Sequence, residues 1–325
     1  MTIAIIGAGV AGITCGDALS AGGRDVVVFE KSRGIGGRLA TRRINDTPCF
    51  DHGAPYFTAQ SKAFKSFLST AGIEATVAPW QPRTSHHHID SLNLLVGVPT
   101  ASAFLKPVAE KLEVRLNIQI RRLEKISAAW NLVDTDGTSF GPFEKVIITA
   151  PAPQATSLLA GHKDIKSLVG EASLAPCWTT LVAFDEPLKV AFDIWTPTED
   201  QNEAILGKAI RNGAKPGRRA DLDCWVLHAQ EKWTRGYLEQ EKSDAADAML
   251  KAFWSELAVP PREPVHLAGH RWRYARTATP SGGPFGKSVD GTIYTGGDWR
   301  LGPTVEDAYT SGRAIANDIL LGQSA

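Results

Sequence analysis

The chain has few cysteines, no surplus of charge of either sign and no long apolar run, and each shortage excludes a class of protein. Its four cysteines lie far apart without a Cys-x-x-Cys pair, which excludes a disulfide framework and a zinc knuckle. The 35 basic side chains balance 35 acidic ones, so nucleic acid is not an expected partner. No apolar run reaches the ~18–20 residues of a membrane-spanning helix. We therefore expect a cytoplasmic protein with reduced thiols and no membrane segment.

A glycine-rich turn follows the first strand-like run. Gly7, Gly9 and Gly12 form G-x-G-x-x-G at a helix start, where backbone N–H groups and the positive helix end bind a pyrophosphate. Glu30 ends the next strand-like run, where a carboxylate accepts hydrogen bonds from both ribose hydroxyls and repels a 2′-phosphate. In the alternative interpretation the glycines only form a turn and Glu30 is a solvated strand end. The agreement of their spacing and of the strand-turn-helix context with the dinucleotide-binding motif argues against it. The pattern therefore predicts a dinucleotide cofactor.

Two further segments favour FAD over a nicotinamide cofactor. Residues 36–38 (Gly-Gly-Arg) let backbone and guanidinium approach an extended diphosphate from its other side, a second clamp that nicotinamide-binding folds do not require. Residues 296–298 (Gly-Gly-Asp) follow a strand-like run, and a helix opens shortly afterwards. The spacing of Thr304 and Asp307 predicts a capping box at the start of that helix.

Several segments together resemble one known family. They are 38–42 (RLATR), 50–58 (FDHGAPYFT), 146–153 (VIITAPAP), 224–229 (CWVLHA), 270–276 (HRWRYAR), and 297–299 (GDW) with Gly302 and Glu306. The similarity runs nearly end to end and is to the renalase family, in its bacterial branch, within the flavin-containing amine oxidase superfamily. It implies non-covalently bound FAD and an oxidase that converts 2- and 6-dihydro isomers of NAD(P) to NAD(P)⁺, with O₂ reduced to H₂O₂.

The resemblance also assigns roles to individual residues. It places the FAD pyrophosphate against the glycine loop and Arg38, the adenosine ribose at Glu30, and the ribityl chain at Asp298. The helix start at Val305 would face the flavin N1/C2=O edge, and Ile120 would lie near the adenine through its backbone. The predicted cofactor-binding residues are Gly7, Gly9, Ala11, Gly12, Glu30, Lys31, Gly37, Arg38, Ile120, Asp298 and Val305.

Hydrophobic periodicity divides the chain into two kinds of structure. Residues 1–30 are typical of a strand-helix-strand unit, and the C-terminal segment again has α/β character. Between them, separate strand-like runs at 178–184, 224–229 and 266–274 suit an antiparallel sheet. We predict an α/β fold with a Rossmann-like FAD-binding domain and a second, largely antiparallel β substrate domain of α+β type. The predicted bounds are 1–60, 96–160 and 288–325 for the first domain, and 61–95 and 161–287 for the second.

The predicted substrate surface is aromatic and imidazole-rich. Alternation puts His228 on one face of its strand with Cys224, and His270 on one face of another strand with Trp272. Ordinary core packing is an equally good interpretation of both histidines. Tyr56 and Trp299 stand beside flavin-binding motifs. The predicted substrate-positioning residues are Tyr56, His228, His270 and Trp299, and no acid or base is predicted because flavin N5 accepts the hydride.

Other functions compete with this interpretation. An amine oxidase on the same fold would need an aromatic cage, for which Trp and Tyr residues are present. A non-catalytic binding protein of this fold would not require intact glycine motifs, and an NAD dehydrogenase would leave residues 36–38 and 297–298 unexplained. His86, His87 and His88 offer two metal ligands at most, so we expect no metal there. The expected partners are a dihydronicotinamide and O₂, without an obligate protein partner.

Overall fold

The computed structural model describes residues 2–44, 47–85, 93–201, 203–219 and 221–322. Its strands, in chain order, are β1 (Ile3–Ile6), β2 (Val26–Phe29), β3 (Thr41–Ile44), β4 (Thr47–Asp51), β5 (Val77–Trp80), β6 (Leu94–Gly97), β7 (Glu113–Arg115), β8 (Ile120–Ile126), β9 (Ala129–Asp134), β10 (Ser139–Phe143), β11 (Lys145–Ile148), β12 (Ser173–Phe184), β13 (Ile194–Trp195), β14 (Leu206–Arg211), β15 (Asp223–Ala229), β16 (His266–Thr279), β17 (Gly286–Lys287) and β18 (Ile293–Thr295). Its α-helices are α1 (Val10–Ala21), α2 (Lys62–Leu68), α3 (Lys106–Ala109), α4 (Ala152–Leu158), α5 (Ile165–Val169), α6 (Glu231–Gly236), α7 (Lys242–Glu256) and α8 (Val305–Leu321).

A six-stranded sheet is built around the apolar run of β1. Its strand order is β17-β18-β11-β1-β2-β7, and all pairs are parallel except the edge pair of β17 with β18. The runs in β1, β2 and β18 are buried along their whole length, as in parallel strands covered on both faces. The carboxyl ends of β1, β2 and β11 therefore lie side by side, and the loops that follow them meet at one edge.

Helices α1 and α8 pack against each other with their backbones almost in contact. A Cβ at Gly312 of α8 would lie 2.2 Å from the carbonyl oxygen of Ala11 in α1. On the other side of α1, a Cβ at Gly16 would already touch Leu112 and Ile5. Glycine at these two positions therefore lets the C-terminal helix and the sheet approach α1 closely.

A five-stranded antiparallel sheet forms the second structural unit, with strand order β13-β14-β15-β12-β16. Trp178 and Trp225 on one face of this sheet pack with Phe253 of α7 in one apolar cluster. On the opposite face Leu181 and Val226 form a smaller cluster with Phe50 of β4. Because side chains alternate along a strand, this second face turns toward the segment that continues from β4.

Three smaller antiparallel sheets complete the described chain: β8-β9-β10, β3-β4 and β5-β6. The alternating run at 114–123 is not one continuous strand, because it spans the end of β7 and the start of β8. Asn117 has a φ of 58° between them, and its N–H donates to the carbonyl of Ser32. This turn directs β8 away from the parallel sheet.

The predicted fold class is confirmed: a Rossmann-like α/β unit is combined with a largely antiparallel sheet. The strands predicted at 178–184, 224–229 and 266–274 are β12, β15 and β16. The domain bounds stay a prediction. Across the ranges given above, no helix is both long enough and apolar enough to cross a membrane.

Candidate active site

The turn between β1 and α1 is closed on its inner side and open on its outer side. Gly7 has a φ of 110°, which favours glycine, and a Cβ at Gly12 would lie 1.9 Å from the Gly7 carbonyl oxygen. A Cβ at Gly9 would meet no atom of the described chain within 4 Å. Gly9 therefore faces open space at the start of α1, where the first-turn N–H groups, that of Ala11 included, lack helical partners. This shape fits a diphosphate that approaches the backbone.

Glu30 is buried at the end of β2 and is bound by two backbone N–H groups. Its Oε2 accepts from Ala8 at 2.9 Å, and its Oε1 accepts from Ser32 at 2.8 Å. Each carboxylate oxygen keeps a free lone pair that a ribose hydroxyl could use. The Nζ of Lys31 lies at the exposed rim, 3.3 Å from Oε1 of Gln154. The structure thus places the predicted ribose carboxylate beside the glycine loop.

The second glycine-rich segment packs directly on the first. The N–H of Gly36 donates to the carbonyl of Ala8 at 2.8 Å. Gly37 has a φ of 54°, and a Cβ there would lie 3.6 Å from the Cα of Gly9. The two glycine loops therefore lie side by side in direct contact, so one diphosphate at their surface could reach the backbone of both.

Arg38 and Asp298 form a bidentate ion pair across the base of these loops. Arg38 Nη1 donates to Asp298 Oδ2 at 2.8 Å, Nη2 donates to Oδ1, and the hydroxyl of Thr277 donates to Oδ2 at 3.1 Å. Arg38 also donates to the carbonyl of Ala275 at 3.3 Å. The sequence predicts separate cofactor contacts for these two residues and gives no sign that they pair. The pair joins the second glycine loop to the C-terminal segment.

The start of α8 has the predicted capping box. Thr304 Oγ1 accepts from the N–H of Asp307 at 3.0 Å, and Asp307 Oδ2 accepts from the N–H of Thr304 at 2.9 Å. The carboxylate of Glu306 turns aside to the N–H groups of residues 60–61. Burial raises the pKa of Glu306, but these hydrogen bonds outweigh it and hold the pKa below its ordinary value. In the described chain no acceptor faces the N–H of Val305, which remains available to a ligand.

A row of polar side chains crosses the second sheet on the face that turns toward β4. In the strand registers Thr179 of β12 pairs with His270 of β16 on one side and with His228 of β15 on the other. Lys208 of β14 pairs with His228. Trp272 lies two residues beyond His270, its ring centroid 4.5 Å from the imidazole. Predicted residues His228 and His270 are therefore brought together, on a half-buried surface rather than inside a core.

His52 completes this surface and was not predicted from the sequence. Its ring centroid lies 4.8 Å from that of His270, edge-on, and 5.2 Å from that of Trp272. Its carbonyl accepts a hydrogen bond from Trp272 Nε1 at 2.9 Å. The only sequence signal for His52 was its place in the segment 50–58. The strand β4, which ends just before His52, shows no clear alternation of apolar and polar residues.

Burial and nearby cations hold the imidazoles of this surface neutral. Burial, reinforced by the cation of Arg42, lowers the pKa of His52 to about 4. Burial and the charge of Lys208 lower the pKa of His228 to about 3, while burial, His52 and Arg42 lower the pKa of His270 to about 4. Near neutral pH all three rings are uncharged, and they are weak bases.

Two of these rings have a buried nitrogen with no partner in the chain as described. They are Nδ1 of His52 and Nε2 of His228. An unpaired buried polar atom costs free energy, so a bound molecule that supplies a partner is the expected resolution. Together with the open space at Gly9, these atoms fit a flavin and a substrate held between the glycine loops and the imidazole surface.

Tyr56 lies at the Lys208 end of the row. Its hydroxyl accepts a hydrogen bond from Lys208 Nζ at 2.5 Å, and the ammonium lies 4.7 Å from its ring centroid. The ring of Trp80 is 6.2 Å away. Through Lys208, the structure places Tyr56 at the end of the row that contains His228, and its role in positioning the substrate stays a prediction.

Trp299 is not part of this surface, contrary to the prediction. Its side chain is fully buried and packs in the apolar cluster of Ile148 and Leu168. Its indole Nε1 donates to the carbonyl of Ala150 at 3.1 Å. The backbone turn at Gly297, with a φ of 143°, directs the indole inward and leaves no surface for a substrate.

Ile120 begins β8 with its side chain in the core cluster that contains Phe29 and Phe143. Just before it, the N–H of Ile118 donates to the carbonyl of Glu30 at 2.9 Å. The chain thus passes the predicted ribose position at Ile118, two residues before Ile120, and the adenine contact of Ile120 stays a prediction. His86, His87 and His88 lie outside the described residues.

A cavity of about 640 Å³ lies at the other end of the parallel sheet. Its lining includes Thr2, Asp25 and Glu113, at the amino ends of β1, β2 and β7. Ligands of open α/β sheets bind at the carboxyl ends of the strands, where the glycine loop lies. This cavity is therefore separate from the two glycine loops.

Comparison with solved structures shows the same fold in several oxidoreductases. A candidate protoporphyrinogen oxidase from Exiguobacterium sp. 255-15 is 12% identical with a TM-score of 0.78, covering 99% of both chains. Cyclohexylamine oxidase from Brevibacterium oxydans IH-35A is 12% identical with a TM-score of 0.74, covering 100% of this chain and 99% of that one. Putrescine oxidase, solved with putrescine bound, is 12% identical with a TM-score of 0.67, covering 99% of both chains. At this identity the likeness shows the fold.

Two family models match the sequence itself. The model of the NAD(P)-binding Rossmann-like domain matches residues 5–71, which contain both glycine loops. The model of flavin containing amine oxidoreductase matches residues 98–320, well over half of the chain. The cofactor is FAD, and the protein is an oxidoreductase. From the matched extent it follows that the chain belongs to the flavin containing amine oxidoreductase family.

Proposed function

We propose that the protein is an FAD-dependent oxidase of the renalase type, which converts 2- and 6-dihydro isomers of NAD(P) to NAD(P)⁺. The net reaction takes one dihydronicotinamide, one O₂ and one proton, and releases NAD(P)⁺ and H₂O₂. Bound FAD supplies the two-electron acceptor at N5 and passes the electrons to O₂. The end-to-end resemblance of the motifs supports this proposal, and so does the chemistry of the imidazole surface.

The observation that carries the proposal is the neutrality of the histidines beside the aromatic rings. A dihydropyridine already has a hydride activated by its ring nitrogen, so the reaction needs alignment and no proton removal. With their lowered pKa values, His52, His228 and His270 are poor general bases near neutral pH. They remain good packing and hydrogen-bonding groups for a flat, neutral ring, and Trp272 adds an aromatic edge.

Within this surface the chain's residues would have distinct roles. His270 and Trp272 would limit the tilt of the ring and exclude water from its face. The unpartnered Nε2 of His228 would accept a hydrogen bond from a carboxamide N–H, because its other ring nitrogen hydrogen-bonds to the His52 backbone. Such a contact would fix which ring carbon faces the acceptor, and misplacement by about 1 Å costs on the order of 10²-fold in rate.

Oxidation of a small amine is the second candidate, because the family and two of the structural neighbours are named for amines. An amine must reach the flavin as the free base, and its ammonium form would meet the positive charges of Lys208 and Lys215. The cations of Arg42, Lys208 and Lys215 lower the pKa values of these histidines, whereas the carboxylate of Asp51 raises that of His52. Such an environment disfavours a cationic substrate.

Anaerobic stopped-flow mixing tests the proposal. The purified FAD protein is mixed with the 2-, 4- and 6-dihydro isomers of NAD, and with cyclohexylamine and putrescine, while bleaching of the flavin band is followed. We expect fast bleaching with the 2- or 6-dihydro form, slow bleaching with ordinary 4-dihydro NADH, and none with the amines. Rapid bleaching by an amine, with a rate that rises as the free base appears, would overturn the proposal in favour of amine oxidation.

A further inference from the structure

Lys208 is a cation of the candidate active site, and it has no ion-pair partner among the residues that the structure describes. Its Nζ donates to the hydroxyl of Tyr56 at 2.5 Å and lies over the same ring, and no carboxylate of the described residues is within ion-pair distance. An ammonium group has three donors, so two N–H bonds remain for another acceptor. The side chain is only partly buried, which leaves these donors open to a ligand.

The surroundings of Lys208 are also positive. Asp51 lines one small cavity together with Tyr56, and its carboxylate is shared by two buried cations, Lys215 and Arg218. Lys208 and Lys215 both act on His228, next to Lys208 in the sheet register. The chain as a whole has 35 basic and 35 acidic side chains. A local excess of positive charge in a neutral protein attracts an anion to this part of the site.

The spacing of the row suits a ligand with a ring at one end and an anion at the other. His270 and Lys208 lie on strands that are three positions apart in the sheet. Adjacent strands are about 4.8 Å apart, so the two backbone positions are separated by about 14 Å. With the long Lys208 side chain reaching inward, a pyridine ring joined through a ribose to a phosphate would span the interval.

We infer that Lys208, held by Tyr56, binds a phosphate group of the substrate and so selects nicotinamide nucleotides over the phosphate-free nucleoside and over amines. The inference rests on the proposed function, since it takes the ring to lie against His270 and Trp272. Lys208 is then a specificity residue that touches the substrate away from the reacting carbon.

Three ligands that share one pyridinium ring test this assignment: nicotinamide riboside, nicotinamide mononucleotide and NAD⁺. Their Kd values are measured by the perturbation of the flavin spectrum in the wild type, Lys208→Met and Lys208→Arg. We expect Lys208→Met to raise Kd for both phosphate-bearing ligands about 10- to 100-fold and to leave the riboside within about twofold. Lys208→Arg keeps the charge and should stay within about fivefold for all three ligands.

Lys251→Met is the matched control, because Lys251 is an exposed lysine of α7, which covers the opposite face of the same sheet. It removes the same charge and should change none of the Kd values. Equal weakening of all three ligands in Lys208→Met would mean that Lys208 only supports Tyr56, and it would overturn the inference. Unchanged binding of the mononucleotide would overturn it as well.

The binding assay separates this inference from the proposed function. If the wild type binds the nucleotides but no dihydro isomer reduces the flavin, the proposed function fails, and the Lys208 comparison still decides the phosphate site. If dihydro isomers reduce the flavin but phosphate-bearing ligands bind no better than the riboside, the proposed function stands and the phosphate site is refuted. A normal flavin spectrum and an unchanged Tm verify that each variant is folded.

Discussion

The buried ion cluster at Asp51 is predicted to be a major support of the candidate site. Asp51 Oδ2 accepts from Lys215 Nζ at 3.0 Å and from Arg218 Nη2 at 2.7 Å, and Oδ1 accepts from the hydroxyl of Thr41 at 2.6 Å. The side chains of Asp51, Lys215 and Arg218 are at most 1% exposed. Asp51→Asn would leave two buried cations without a counter-charge, which costs about 3–5 kcal/mol.

This cost converts to a shift in melting temperature. Unfolding entropy is about 2.1 cal/mol/K per residue, so for 325 residues that unfold together 1 kcal/mol shifts Tm by about 1.5 °C. Asp51→Asn should therefore lower Tm by about 4–8 °C, measured with FAD at the same saturation in every sample. Asp221→Asn is the control, because Asp221 pairs with Arg219 and both side chains are more than half exposed. That substitution should shift Tm by less than about 1 °C.

A double variant and a pH series strengthen the test. Asp51→Asn with Lys215→Met removes one of the two stranded cations and should regain part of the lost Tm. Burial raises the pKa of Asp51, but Lys215 and Arg218 outweigh it and hold the pKa at about 2 in the folded chain, against 3.8 ordinarily. The ionised carboxylate of Asp51 thus makes its full contribution to the free energy of unfolding above about pH 4, and this contribution is lost as the pH falls toward 2. Equal Tm values for the Asp51 and Asp221 variants would refute this reasoning.

Three further predictions concern the cofactor, the core and the chemistry. Glu30→Gln should weaken FAD binding about 10- to 100-fold in a fluorescence titration, because an amide has only one acceptor oxygen for groups that now use two; unchanged affinity would count against the ribose assignment. Trp299→Leu should cost about 2–4 kcal/mol of stability through lost packing, which lowers Tm by about 3–6 °C, yet keep the rate of flavin reduction within about twofold. A variant that is fully stable but reduces the flavin slowly would show that Trp299 does act on the substrate. The rate of flavin reduction by a dihydro isomer should stay flat between about pH 6 and pH 9, because the imidazoles titrate only near pH 3–4; a steep rise with pH would indicate a catalytic base.

The cofactor side of the protein was predictable because backbone sterics dictate it locally. A turn with a φ of 110° at Gly7 and a 1.9 Å approach at Gly12 require glycine, and the apolar runs of β1 and β2 on either side identify the unit. The capping box of α8 is equally local, since Thr304 and Asp307 are three residues apart. Within such short segments, spacing decides geometry.

The substrate side was predictable only in part, because tertiary contacts set it. Alternation put His228 and His270 each on one face of its own strand, but it could not show that these strands join the same sheet face or that β14 would bring Lys208 to Tyr56. The prediction that Trp299 positions the substrate was wrong for the same reason. It rested on the neighbouring cofactor motif at Asp298, whereas the turn that buries the indole depends on the folded chain.

The glycine loops and the opposing sheet face of the candidate site therefore recognise their ligands in different ways. The glycine loops bind through backbone N–H groups, so any chain that meets the steric conditions can hold the same cofactor, and solved structures at 12% identity share the fold. The opposing sheet face acts through side chains, where one changed residue alters charge and hydrogen bonding without altering the fold. Family membership thus decides the cofactor, whereas in our proposal the substrate depends on three features of this face. These are the neutral imidazoles and, within the described chain, the unpartnered nitrogen of His228 and the free donors of Lys208.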